Sequence, residues 1–404
     1  MTISTVNVAR SHLREVPLVG EELSADVLAA WRQCNAQFEN DTLESDPDWL
    51  RAGFRGDPRD VRVFAVESEG HIVGVVPFQA SRIRLLSQVG PVTVRGLPLR
   101  RLRLLGTELS LPRDERLYEN VLARVGMRRD IDALDFQAVP TDSLLWQVLH
   151  ASPVLRRAYV LYRSREPFPR PIVRVRGSFG EYASRFSPKS RYNRQRELRR
   201  LSARGFVQVA RVTEPAQINN FLQTAAAISR RTYQYNALGL GVRVPERLRE
   251  LLQFAARNGF LRSYLLTCGD TACAFIIGYQ FRGRFCYSEP GYDPAWKEFS
   301  VGSVLLTKAL EDLFEHDPPT VIDFGIGSQE YKHYLATETR LDGDVILFSR
   351  RCYPLLVRGL HRALRLTGRT TAALLEHLGV KHQATRILRR TWRSRGVHGA
   401  AEKH

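Results

Sequence analysis

One strand pattern occurs twice in this chain, and that duplication restricts the fold more than any other feature. Residues 61–66 and 72–78 are apolar, β-branched runs on either side of a turn at 67–70, which predicts an antiparallel hairpin. The design returns at 261–267, 272–281 and 285–289, with turns at 268–270 and 282–283, as a three-stranded meander. Downstream of each comes a helical pattern, then a short strand ending in the same kind of triplet, Leu134-Asp135-Phe136 and Ile322-Asp323-Phe324. The hairpins are 200 residues apart (Gly74 to Ala274) and the triplets 188 (Asp135 to Asp323). A repeat of this length means two domains, not a solenoid. The run Glu166-Pro167-Phe168-Pro169-Arg170-Pro171 breaks regular structure and marks the join. The expected division is 1–165, 166–352 and a tail, 353–404.

The second half reads as helix (179–203), helix (215–235), meander, helix (304–314) and strand (321–324), an α+β unit. Strands 285–289 and 321–324 flank a helix and are expected to run parallel. At 44% hydrophobic and 25% charged residues the chain folds by burial, which excludes disorder and disulfide-dependent miniature folds. Its five cysteines are scattered, with no zinc spacing, and no metal site is expected. No apolar run approaches the roughly 18 residues of a membrane span, and the first residues lack a leader's apolar core. A reducing, cytoplasmic setting is the expectation. Charge is uneven within a net +18: residues 170–211 hold twelve Lys/Arg against Glu181 and Glu197, and residues 350–404 thirteen against Glu376 and Glu402. Such fields attract phosphates, nucleic acid or an anionic membrane, without choosing among them. The tail interleaves leucines with arginines, a basic amphipathic pattern.

A parallel strand, loop and helix passage presents unpaired amides to anions. Here it is residues 290–303. Gly302 would let the backbone approach a diphosphate and Ser303 would cap the helix; an ordinary helix start is the other reading. Asp323-Phe324-Gly325 has no companion kinase motifs, and Gly239-Leu240-Gly241 lacks the rest of a dinucleotide fingerprint.

Arg191 to Gly205, Arg230-Arg231-x-Tyr233-Gln234, the 272–289 hairpin, Gly291-Tyr292-Asp293, Val301-Gly302-Ser303-Val304-Leu305-Leu306, Asp323-Phe324-Gly325-x-Gly327 and Tyr331-Lys332 carry a resemblance. So, more weakly, do Asp46-Pro47-x-Trp49-Leu50, Val73-Gly74-Val75-x-Pro77-Phe78 and Asp135-Phe136 in the first half. The chain resembles GNAT-superfamily acyltransferases of the bacterial group associated with cellulose and exopolysaccharide biosynthesis, which is similar in turn to FemAB-type aminoacyltransferases. The resemblance spans most of residues 20–350. It implies two tandem GNAT-like domains, each a mixed sheet flanked by helices, the first degenerate, followed by the basic helical tail. It implies an acyl-coenzyme A donor held at Val301, Gly302 and Ser303, although Phe299 and Val304 replace the Arg/Gln and Gly/Ala of the usual loop. FemAB relatives use aminoacyl-tRNA, which is the alternative donor.

Direct acyl transfer needs a base, a polarised carbonyl and a proton for the leaving thiolate. Asp323 and Lys332 are the first candidates, with Tyr331 and Glu289 after them. The competing reading has Asp323 capping the 325–327 turn and pairing with Lys332 as a structural bridge. Arg191 and Arg194 are expected to engage an anionic part of a substrate, and Arg231, Tyr233, Gln234 and Tyr287 to contact a small-molecule or glycan acceptor. A third reading is an idle scaffold docked through the tail on the inner membrane face.

Overall fold

The computed structural model describes residues 11–18, 25–38, 42–52, 57–89, 92–163, 165–232, 242, 246–327 and 329–377. Its strands are β1 His12–Pro17, β2 Val61–Ser68, β3 His71–Val89, β4 Val92–Leu104, β5 Ala133–Pro140, β6 Tyr159–Tyr162, β7 Phe168–Arg174, β8 Val207–Val212, β9 Ser263–Cys268, β10 Thr271–Phe281, β11 Arg284–Tyr292, β12 Val321–Asp323 and β13 Glu338–Ser349. Its helices are α1 Ala25–Gln37, α2 Pro47–Arg51, α3 Glu115–Gly126, α4 Leu144–Ala151, α5 Pro153–Ala158, α6 Phe179–Ser184, α7 Pro188–Ser202, α8 Ile218–Arg230, α9 Glu246–Arg257, α10 Val301–His316, α11 Glu330–Leu335 and α12 Cys352–His377. No described helix is long and apolar enough to cross a membrane.

The chain divides into two units, residues 1–38, 55–166 and 343–404 in the first and 39–54 and 167–342 in the second. Strand β13 is cut by that division, with 338–342 in the second unit and 343–349 in the first.

In the first unit β1 to β4 pair antiparallel, and β5 joins β4 in parallel, with Arg101 opposite Ala133 and Arg103 opposite Asp135. Helices α3 and α4 bury Leu117, Leu122, Leu145 and Val148 against Phe64, Phe78 and Phe136. Between β4 and α3 the chain is consumed by packing. Leu109 and Leu111 enter the core, and Ser110 bonds Val75 through the backbone and Asn35 through its side chain at 2.5 Å. Gly74 is required there, because a Cβ would come within 2.1 Å of Leu111. Helix α12 is also part of this unit: Val357 packs with Leu99, Ala133 and Phe348, and His361 bonds the Tyr162 hydroxyl at 2.7 Å. Residues 352–367 of the expected tail therefore form a helix packed on this unit.

The second unit orders its strands β8-β9-β10-β11-β12-β7, with residues 338–342 of β13 beyond β7. Strands β8 to β11 are antiparallel, and β12 pairs β11 in parallel as expected, Arg284 opposite Val321 and Cys286 opposite Asp323. Asp135 and Asp323 thus close equivalent parallel pairs, the structural form of the repeated triplet. Alternate residues of β10 face opposite sides. Ala274 and Ile276 pack with α7 and α10 through Leu201, Val304 and Leu310. Phe275 and Ile277 pack with α8 and α9 through Phe221, Leu222 and Leu252. Helix α2 belongs here as well: Asp46 caps it, and Trp49 meets Tyr279 with ring centroids 5.1 Å apart. The Asp46-Pro47-x-Trp49-Leu50 motif, expected to mark the first domain, therefore builds the second.

The helix expected over 179–203 is two. Ser187 caps α7 and Pro188 occupies its first turn, where a missing N–H costs nothing. The helix expected over 304–314 starts earlier, at Val301.

Candidate active site

The site grows from a mismatch in strand length. Strand β12 stops at Asp323, opposite Cys286, whereas β11 continues along β10 to Tyr292. Past Cys286 the parallel pair ends, so the strands leave a gap with unpaired backbone groups along β11. A bulge lies at the same level: Tyr287 opposes Gly278 and Glu289 opposes Ile277, leaving Ser288 as the extra residue. A bulge re-aims the side chains that follow it. Here it places Glu289 on the face of Ile277 and Tyr279, while Tyr287 stays in the opposite core beside Phe324, ring centroids 5.9 Å apart. Glu289 was expected to close its strand; it stands three residues inside it.

After β11, Asp293 caps a short helical turn by accepting from Ala295, and Arg231 bonds its carboxylate at 2.5 Å. Arg231 is thereby a tether of this loop. Ser300 then precedes α10 with φ of 52°, a left-handed conformation rare outside glycine, and offers no side-chain cap. Ser303 was expected to cap; it lies inside the first turn, and Val301 is buried in the core. The first backbone N–H to join the helical ladder is that of Val304, to Ser300 at 3.0 Å. The preceding amides, of Val301, Gly302 and Ser303, point outward with the positive end of the helix. A Cβ on Gly302 would meet only Tyr292, at 3.6 Å, so the space over this turn is open. These residues fit an anionic diphosphate such as that of coenzyme A.

Asp323 is 2% exposed and gripped by arginines: Arg170 through both carboxylate oxygens at 2.9 and 3.0 Å, and Arg284 at 3.2 Å. It also accepts from the Gly325 amide at 2.8 Å, capping the turn. Burial pushes its carboxyl up, but the charge and hydrogen bonds of Arg170, with Arg284 behind, outweigh this and hold it below the usual range. A carboxylate so stabilised is a poor proton acceptor. The expected pairing with Lys332 is replaced by these arginines, and Lys332 Nζ bonds the Ile326 carbonyl at 3.3 Å instead. Burial lowers the Lys332 amine, partly offset by the Asp323 charge. Asp323→Asn should therefore cost about 2–4 kcal/mol in denaturant unfolding, because Arg170 would keep only Asp342 as an ionic partner. The sign follows from the depressed pKa: this stability is present above the unfolded carboxyl value of 3.8 and disappears as pH falls through the lower folded value. Loss of turnover with unchanged unfolding would instead make Asp323 a base.

Tyr287 and Tyr331 share a hydrogen bond. Burial, then the neighbouring Tyr331, pushes Tyr287 well above 10, and burial raises Tyr331 while the bond from Tyr287 draws it back. Both hydroxyls stay protonated near neutrality. Glu289 is half-buried, burial alone raises its carboxyl, and among the described residues no cation pairs with it.

Arg191, Arg194 and Ser303 share a groove of about 300 Å³ between α7 and α10, floored by Phe186, Leu198 and Val304. Arg194 lies over the Phe186 ring at 4.2 Å and the Tyr334 ring at 5.4 Å, and Ser190 bonds the Tyr334 hydroxyl. Helix α11, which carries Tyr331 and Lys332, is thus fixed to α7. Tyr233 and Gln234 lie outside the described residues. The bulge, Arg170 and Arg284 were missed by sequence reasoning. Among the described residues no group of three or more His, Cys, Asp or Glu is placed to hold a metal.

Residues 188–333, just over a third of the chain, match the family described as Acetyltransferase (GNAT) domain. The match runs from the first residue of α7 into α11. No curated protein gives a significant sequence match. Among solved structures, the crystal structure of FemX superposes with a TM-score of 0.51 at 10% identity, over 74% of this chain and 90% of that one. The structure of L-PGS from Bacillus licheniformis superposes at 0.50 and 14% identity, over 86% of this chain and 98% of that one. These likenesses show the fold. The second unit carries a GNAT-type acetyltransferase domain, and the chain is an acyltransferase.

Proposed function

We propose that this chain moves an acyl group from acyl-coenzyme A to an amine or hydroxyl of a sugar, polysaccharide or other cell-envelope precursor. The observation that carries the reading is Glu289: a half-buried carboxyl beside the end of the parallel pair, without a cation among the described residues and raised by burial. Those are the properties of a general base. Val301, Gly302 and Ser303 hold the donor's diphosphate through their amides, and the donor supplies a thioester carbonyl. Glu289 takes the proton of the attacking amine or hydroxyl. Tyr331, bonded to Tyr287 on the opposite face of the sheet, returns a proton to the departing sulfur. Arg191 and Arg194, in the groove that begins at Ser303, engage an anionic part of the donor. The acceptor then lies on the α8 side, where Arg231 follows that helix. Asp323 and Lys332 support the turn beneath the reaction instead of taking part in it.

The test is coenzyme A release from acetyl- and longer acyl-coenzyme A across a panel of amino sugars and hydroxyl acceptors. Saturable, acceptor-dependent release supports the reading; none across the panel removes it.

A second reading is transfer of an aminoacyl group from tRNA. It is favoured by the FemAB-type residues, the FemX-like fold and the exposed Arg191, Arg196, Arg199 and Arg200 on α7. It requires tRNA binding whose logarithm falls linearly with the logarithm of salt. Binding to tRNA no tighter than to heparin would eliminate it.

A further inference from the structure

We propose that α12 docks the chain onto an anionic lipid surface. A surface helix ordinarily turns charge outward and apolar residues in. Over residues 352–367, α12 does not. At roughly 100° per residue, Leu356, Leu360 and Ala363 form one outward stripe, with Tyr353 at its edge, its hydroxyl donating to the Pro98 carbonyl at 2.5 Å. Leu356 is 59% exposed, Tyr353 41% and Leu360 39%, with Leu366 at the margin at 53%. No charged residue falls within the stripe. Arg358, Arg362 and Arg365 lie on the side of the helix away from the stripe, Arg365 against the Tyr162 hydroxyl at 3.4 Å. Arg351, just before the helix, pairs with Asp132, and the helix has no acidic residue before Glu376. The inner face is already engaged through Val357 and His361, so the stripe is not a misplaced core.

Two occupants suit an exposed leucine stripe, a membrane interface and a second copy of the chain. Charge decides between them. Residues 350–404 carry thirteen Lys/Arg against two Glu, so self-pairing along α12 would bring two strongly basic segments together. An anionic leaflet answers both features: leucines enter the acyl boundary while the net positive charge of residues 350–404 is drawn to the headgroups. The proposal is independent of the acyl-transfer reading.

The test is co-sedimentation of the full chain with phosphatidylglycerol-containing vesicles, compared with phosphatidylcholine alone. Wild-type protein is expected to bind the anionic vesicles, and Leu356→Glu with Leu360→Glu to weaken that binding at least about tenfold. Leu356→Ser with Leu360→Ser should lie between them. Met127→Glu, a charge placed at another exposed apolar residue of the same unit, should bind like wild type. The proposal fails if wild type ignores the anionic vesicles or if the leucine variants bind as well as wild type. It fails also if lipid-free wild type sediments as a dimer that the leucine variants dissolve. Donor binding measured on the same variants stays at the wild-type level, which separates this outcome from failure of the transferase reading.

Discussion

Glu289→Gln is expected to lower kcat for acyl transfer about 100- to 10,000-fold while leaving donor affinity unchanged. Glutamine preserves the volume and hydrogen bonding of the side chain but accepts no proton. Stability should move the other way. Burial raises the Glu289 carboxyl, so the group favours the folded state fully below its unfolded pKa, and that contribution is lost as pH rises through the folded value. At neutral pH the native protein carries the cost of a partly desolvated charge, and the amide removes it. The variant should therefore unfold at higher denaturant than wild type at pH 7 and lose this advantage at acid pH. The wild-type rate should fall as pH drops through a carboxyl pKa above the usual 4.5, a limb absent from the variant's residual activity. Parallel pH–rate profiles and urea melts measure both. Equal activity in the two proteins would remove Glu289 from the chemistry, and lost activity together with lost stability would make it a structural residue.

The residues of this site were legible in the sequence to unequal degrees, for physical reasons. Hairpins and parallel pairs announce themselves by alternation, turns and an intervening helix, so the frame around 285–289 and 321–324 followed from local pattern. The bulge at Ser288 did not. It adds one residue in a stretch, Tyr287-Ser288-Glu289-Pro290, whose composition suits a regular strand equally well, yet it decides which face Glu289 occupies. Asp323 was conspicuous, but its partner Arg170 lies 153 residues earlier in a chain rich in arginine, so the pairing had no sequence signal. Without that partner Asp323 resembles a base; with it, the carboxylate is held in its charged form by Arg170 and Arg284. The start of α10 misled because Ser300 and Ser303 are both plausible caps. The backbone settles it by turning left-handed at Ser300. In the first unit the same topology is filled by Leu109 and Leu111, which shows how little separates a donor loop from ordinary packing.

Gly302→Asp is the sharpest test of that loop, because it separates ligand binding from folding. At the start of α10 a carboxylate opposes the positive helix end and should leave the helix as stable as before or slightly more so, by about 0.3–1 kcal/mol. The new Cβ meets only the Tyr292 ring at ordinary contact distance, so packing does not object. A diphosphate approaching the Val301, Gly302 and Ser303 amides would find a negative charge and added bulk in its place. Titration with acetyl-coenzyme A, and with a longer acyl-coenzyme A, should show affinity reduced at least about 100-fold with an unchanged or raised melting temperature. Gly302→Ala, which adds bulk without charge, should fall between the two, and the difference between the variants isolates the electrostatic part. Raising salt should weaken wild-type binding only modestly, since the amides are fixed dipoles at short range and not a diffuse field. If wild type and Gly302→Asp bind the thioester equally, or only through a salt-sensitive attraction common to both, the N-terminus of α10 is not the donor site. The exposed arginines of α7 would then make aminoacyl-tRNA the donor to examine.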